Sequence, residues 1–195
     1  MDQLTSQKRS LRETLKQKRA ALSQKDQHTA ASLLSKHALP FLSSEQQKTI
    51  SIYSAKGSEL DPQHLAEHLA RSDHLLCLPV VEPNSKIMTF REYQLGDPLS
   101  NGAYDILEPS HQSASVLPQI IFCPLLAVDL SGNRLGYGGG YFDQTLAALR
   151  KKTEVMAVGL CYDMQIIEEV PVDENDIKLD YVVSEKRCVQ CQVYE

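Results

Sequence analysis

Residues 120–150 force a strand, a glycine-rich loop and a helix into immediate succession, and little else can be built around them. The run IIFCPLLAV, Ile120 to Val128, is apolar without alternation, as a strand covered on both faces requires. It leads into DLSGNRLGYGGGYFD, Asp129 to Asp143, which holds five of the chain's nine glycines: Gly132, Gly136, Gly138, Gly139 and Gly140. QTLAALRKK follows, a good helix former with cations at its end. Glycines let main-chain N–H groups close on a ligand, and a helix N-terminus adds unpaired N–H groups and partial positive charge. Arg134 adds a planar cation able to fork onto a phosphate. Asp143 adds a hard oxygen ligand suited to Mg²⁺. Tyr137, Tyr141 and Phe142 supply flat faces for a ring. The known nucleotide signatures are missing: no Gly-Lys-Ser/Thr occurs, and Tyr141 stands where GxGxxG needs its third glycine. A tight connection before a helix is the plainer alternative for such a loop.

The flanking pattern predicts helices alternating with strands. Leu4, Leu11, Leu15 and Leu22 mark one side of an opening helix, 4–22, and Lys8, Arg12, Lys16 and Arg19 mark a second. Residues 1–25 hold seven Lys or Arg against Asp2 and Glu13; with a net charge of -5 overall, the remainder is strongly acidic. A solvated basic face explains such a stripe, but a cationic helix on an acidic body can also wall an anion site. A second helix is expected from Asp26 to Leu42, a strand at Thr49–Ala55, then a helix opened by Asp61-Pro62. Further strands are expected at His74–Val81, Ile87–Tyr93, Glu154–Asp163 and Tyr181–Lys186, with a turn-rich stretch at 96–118. This order implies one α/β domain over 1–195, a mostly parallel sheet with helices on both faces in three layers. A chain of 195 residues buries about 70% of its unfolded surface in one core.

Composition narrows the partners. An acidic chain of pI about 5.7 disfavours nucleic acid and anionic membranes. No run approaches a membrane span, and the charged start lacks a signal-peptide core. Five scattered cysteines suit a reducing cytoplasm, and a monomer is expected. His64-Leu65-Ala66-Glu67-His68 matches an HxxEH metallopeptidase pattern on a short helix with no evident third ligand; an exposed helix with two histidines is the better reading. Cys188 and Cys191 form a lone CxxC without the second pair that a structural zinc requires. Glu59 lies in the loop after a strand, where α/β proteins place their chemistry, although surface carboxylates are common there too.

Three segments resemble the 5-formyltetrahydrofolate cyclo-ligase family: KRSLRETLKQKRAAL from Lys8 to Leu22, GNRLGYGGGYFD from Gly132 to Asp143, and PVDENDIKLDYVVSE from Pro171 to Glu185. Weaker likeness in IYSAKGSELDP, LPVVEPNSKIMTF and ILEP falls in the same order between them. The resemblance implies ATP- and Mg²⁺-dependent closure of 5-formyltetrahydrofolate to 5,10-methenyltetrahydrofolate, with release of ADP and phosphate. It implies ATP contacts at Lys8, Arg9, Ser10, Leu11 and Arg12, and at Arg134, Leu135, Gly136, Tyr137, Gly138, Gly139, Gly140, Tyr141 and Phe142. Mg²⁺ falls to Asp143 and Asp176. Folate falls to Ser54 and Glu59 and to the loop from Tyr137 to Tyr141; catalytic weight falls on Arg134, Asp143 and Glu59. The opening helix is expected to pack over the nucleotide site. Phe142 departs from the family's usual second tyrosine, and Cys123 and Val128 depart in the strand before the loop. Two rivals remain at this level: an α/β enzyme that binds a sugar phosphate or coenzyme A, and an RNA-binding module that uses the basic helix. ADP release dependent on formylfolate separates the first; a salt-sensitive RNA shift without ATPase activity would mark the second.

Overall fold

The computed structural model describes residues 3–42 and 46–192. In chain order its elements are α1 (Gln3–Ala20), α2 (Gln24–Leu42), β1 (Thr49–Ser51), α3 (Gln63–Leu69), β2 (Leu75–Val80), β3 (Thr89–Glu92), β4 (Leu99–Asn101), β5 (Leu107–Pro109), β6 (Ile120–Pro124), β7 (Ala127–Val128), β8 (Arg134–Leu135), α4 (Tyr141–Arg150), β9 (Met156–Leu160), β10 (Tyr181–Val183) and β11 (Cys188–Gln190). Seven strands form the main sheet in the order β11-β10-β9-β6-β1-β2-β3. The inner five run parallel; β3 and β11 close the two edges antiparallel.

Alternation along the strands explains the layers. Ile50, Leu76, Leu78, Phe122, Val158 and Leu160 face one side and meet Leu34 and Ala38 of α2 with Leu65 and Leu69 of α3. Cys77, Ile121, Cys123, Ala157 and Val182 face the other and meet Leu146 and Leu149 of α4. Both faces are covered, which is why these strands read as unbroken apolar runs. The fold is therefore α/β, mostly parallel, with helices on both faces as the sequence implies. β11 was outside the sequence expectation, as were the two small ribbons β4–β5 and β7–β8. The strand expected over 49–55 stops at Ser51, because the next residues turn into a loop.

Two features place the functional residues. β1 lies between β2 and β6, so the chain winds one way from β1 to β2 and the other way through β6, β9 and β10. Such a reversal opens a crevice beyond the strands' carboxyl ends. The loop after β1 and Leu125 after β6 border it. Second, α1 lies over the β7–β8 ribbon: Leu15 is 3% exposed and clusters with Ala127, Leu135 and Val170, with Leu11 packed alongside.

Candidate active site

The glycine loop runs from β8 into α4, and α1 crosses it. Gly140 caps α4 at φ 73, a left-handed conformation that a side chain would strain. No side chain caps this helix, so its first N–H groups stay open to a ligand. From α1, the Arg12 Nε donates to the Gly136 carbonyl at 2.8 Å, and its guanidinium lies beside Gly138. Lys16 lies 5.5 Å from the centre of the Tyr137 ring. Arg9 and Ser10 face solvent, Leu11 is half-buried, and Leu135 is fully buried. The N-terminal segment and the loop thus meet, with Arg9 and Ser10 on the outer side of the helix.

The acidic segment joins them from the far end of the chain. Lys8, only 8% exposed, donates to Asp173 Oδ2 at 2.6 Å and Asp176 Oδ2 at 2.5 Å. Burial pulls the Lys8 ammonium down, but the two carboxylates outweigh it and hold its pKa above the usual lysine value. The same bond from Lys8, aided by the Asn175 N–H, holds Asp173 below the usual carboxylate value. Arg134 donates to Asp143 Oδ1 at 2.6 Å, and that oxygen also accepts the Ile177 N–H at 3.1 Å. Asp143 is thereby brought against the residue next to Asp176. The Arg134 side chain is buried between Asp143 and the Phe142 ring, and among the described residues its Nη1 has no partner. A fully buried, half-satisfied guanidinium is costly unless a ligand or water completes it. So each carboxylate expected to hold a metal is neutralised by a cation expected to hold a phosphate.

In the loop after β1, Glu59 Oε2 accepts the Lys56 N–H at 2.8 Å, and the Tyr162 hydroxyl reaches the Glu59 carbonyl at 3.5 Å. Burial, and then the Glu59 carboxylate, push the Tyr137 phenol well above its ordinary pKa, so it stays a donor. Ser54 Oγ donates to the Leu107 carbonyl at 2.8 Å, which ties the loop after β1 to the β4–β5 ribbon. That ribbon, the 81–86 loop and Tyr141 line a cleft of about 700 Å³, in the size range of small-molecule sites. Tyr104 and Tyr141 face each other across it, hydroxyls 2.9 Å apart. Lys86 sits 4.6 Å over the Tyr141 ring and donates to the Gly139 carbonyl at 3.0 Å. Lys86 and Tyr104 were not among the residues expected from sequence. Both lie in turn-rich stretches whose approach to the glycine loop depends on tertiary folding.

The HxxEH residues lie elsewhere: the His64 ring contacts that of His28, centroids 4.8 Å apart, and the Glu67 carboxylate approaches its Nδ1 at 3.7 Å. Cys191 is buried and Cys188 half-buried at the β11 edge.

The family model of the 5-formyltetrahydrofolate cyclo-ligase family matches residues 4–185. This chain belongs to that family. The cyclo-ligase of Haemophilus influenzae is 33% identical over 180 residues, which cover 90% of this chain and 96% of that protein. The cyclo-ligase of Escherichia coli K12 is 32% identical, with coverage of 87% and 96%. Among solved structures, the 5,10-methenyltetrahydrofolate synthetase of Aquifex aeolicus aligns at TM-score 0.74 and 28% identity, covering 96% of this chain and 94% of that one. The Mycoplasma pneumoniae synthetase aligns at 0.73 and 21% identity, covering 91% and 98%, which bears on the fold alone. The chain is therefore an enzyme, a ligase of folate metabolism that closes 5-formyltetrahydrofolate to the 5,10-methenyl form.

Proposed function

We propose that α1, the glycine loop and the 170–176 segment hold MgATP, and that the adjoining cleft and Glu59 hold 5-formyltetrahydrofolate. One observation carries this: Lys8, held by Asp173 and Asp176, and Arg134, held by Asp143, form an array of opposed charges in which MgATP can offer each partner a counter-charge. Cations turn to phosphate, and carboxylates are left to the metal. Asp143 and Asp176 fit Mg²⁺: they are hard oxygen donors set on either side of the Ile177 N–H contact. Among the described residues no three His, Cys, Asp or Glu side chains converge, which suits an ion that usually keeps waters and shares phosphate oxygens. When bound there, Mg²⁺ would offset charge on the β- and γ-phosphates.

Ring closure must expel an oxygen that leaves poorly. The γ-phosphoryl of ATP passes to the formyl oxygen, N10 attacks the activated carbon, and inorganic phosphate departs with its oxygen, leaving ADP and the methenyl product. Such transfer rests mainly on positioning and charge neutralisation. Lys8 and Arg12 approach from α1, the loop amides from α4 and Arg134 from beneath, so the chain confronts the phosphates from three sides. Glu59, fixed by the Lys56 N–H, supplies an anionic acceptor for an N–H of the folate. Tyr104 and Tyr141 supply ring faces. The basic helix serves the nucleotide in this reading, and no nucleic-acid role is needed for it.

The test is to mix protein, 5-formyltetrahydrofolate and MgATP and follow the methenyl chromophore. Asp143→Ala and Arg134→Ala should each lose about 10²–10³ in turnover while staying folded. Near-normal turnover in both variants would end the assignment. In Glu59→Gln, a raised KM alone indicates binding and a lowered kcat alone a part in the chemistry.

A further inference from the structure

Arg19 belongs to the basic stripe of α1, yet its hydrogen bonds go to Ser58 and Leu125 and not to the glycine-loop carbonyl that Arg12 holds. It is 4% exposed. Neither of its hydrogen bonds goes to a carboxylate. Its Nε donates to Ser58 Oγ at 3.1 Å, and its Nη1 reaches the Leu125 carbonyl at 3.4 Å. Its guanidinium lies 5.6 Å from the centre of the Tyr137 ring. These contacts bracket the crevice between β1 and β6: Ser58 precedes Glu59, and Leu125 ends the neighbouring strand. A buried cation without a counter-ion is expensive unless its surroundings require that charge. Here they converge on the segment that carries Glu59. Ser58 precedes Glu59 in the chain, Tyr162 donates to the Glu59 carbonyl, and Arg19 holds Ser58 and lies beside the Tyr137 ring.

We propose that Arg19 is a positioning residue for the folate side of the reaction: through Ser58 and Tyr137 it fixes the segment that presents Glu59, although it stands on the helix that serves ATP. The guanidinium suits the task because it donates in two directions at once while presenting its plane to a ring. A lysine keeps the charge but reaches only as a point. The inference rests on Glu59 facing folate, so the experiment separates the two claims.

Full-length Arg19→Gln, Arg19→Lys, Glu59→Gln and the Arg19→Gln/Glu59→Gln double variant are compared by melting temperature and by KM for each substrate. In Arg19→Gln the KM for 5-formyltetrahydrofolate should rise about tenfold, the scale of one hydrogen bond to a charged group, with KM for ATP within about twofold of the parent. Arg19→Lys should recover part of the loss. The double variant should be no worse than Glu59→Gln alone. Additive losses, or a rise confined to KM for ATP, would overturn the proposal. If Glu59→Gln itself raises only KM for ATP, the folate reading of Glu59 fails, while the Arg19–Glu59 coupling is still read from the cycle. Should Arg19→Gln not fold, Ser58→Ala and Tyr137→Phe replace it: their effects on folate KM should vanish in the Glu59→Gln background, and persistence there refutes the coupling.

Discussion

Replacing Lys8 with methionine isolates the charge array at the proposed nucleotide site. The substitution keeps the length of the side chain and removes the ammonium that bridges Asp173 at 2.6 Å and Asp176 at 2.5 Å. Breaking a fully buried pair costs about 3–5 kcal/mol, whereas an exposed pair is worth about 0–1 kcal/mol. The Lys8 side chain is 10% exposed, but those of Asp173 and Asp176 are 41% and 20% exposed, so solvent screens part of the pairing. A loss of about 1–3 kcal/mol results, or roughly 2–12 °C in Tm for a chain of this size. The second consequence distinguishes this site from an ordinary ion pair. In the parent, Mg²⁺ alone must displace Lys8 from Asp176 and stabilises little. In Lys8→Met the carboxylates stand uncompensated, so Mg²⁺ at ten times its dissociation constant should restore about 1.4 kcal/mol. ATP should meanwhile bind more weakly for want of the cation. Thermal melts of both proteins, with and without Mg²⁺, read the difference. Equal Mg²⁺ shifts in parent and variant would refute the reasoning, and so would an unchanged Tm.

Other consequences are as direct. Gly132→Ala should lower Tm by about 4–16 °C: at φ +85 its Cβ would stand 2.5 Å from the Leu179 carbonyl oxygen, and strain plus overpacking cost about 2–4 kcal/mol; calorimetry checks it. Tyr104→Ala should raise KM for folate about threefold to tenfold with KM for ATP unmoved, as the Tyr141 ring loses its partner across the cleft; steady-state kinetics decides it. Burial raises the Asp163 pKa, but hydrogen bonds from Arg187 and Ser184 outweigh this and leave it, like Asp173, below the ordinary 3.8. Their contribution is in place above that pH and drains away as pH falls through the lower folded values. Asp163→Asn should therefore melt lower near neutrality and lose less stability than the parent below about pH 4. Parallel curves would contradict this.

The sheet was legible because both of its faces are covered: continuous apolar runs at Leu75–Val80, Ile120–Pro124 and Met156–Leu160 report buried strands whatever the register. The glycine loop and its helix were legible from local chemistry, and the resemblance drew attention to the opening helix that carries Lys8 and Arg12. What escaped depends on distant contact. β7 and β8 are two residues each and owe their pairing to the turn at Gly132. Tyr104 sits at φ 60 in an irregular turn, with no periodicity to advertise it. Arg19 looked like one more cation of a solvated stripe. Only the fold shows that Leu15 is driven into the core and carries Arg19 in with it. The Arg134–Asp143 pair is nine residues apart, yet its closure depends on where α4 begins.

The clasp between Lys8 and the 173–176 turn joins groups 165 and 168 residues apart. A nascent chain exposes its first helix long before either the ribbon beneath it or the acids that grip it have been made. A lone charged helix of 18 residues is marginal in water. A helix made early in synthesis is thus among the last elements to settle. Until it does, no incomplete chain can close the Lys8 clasp.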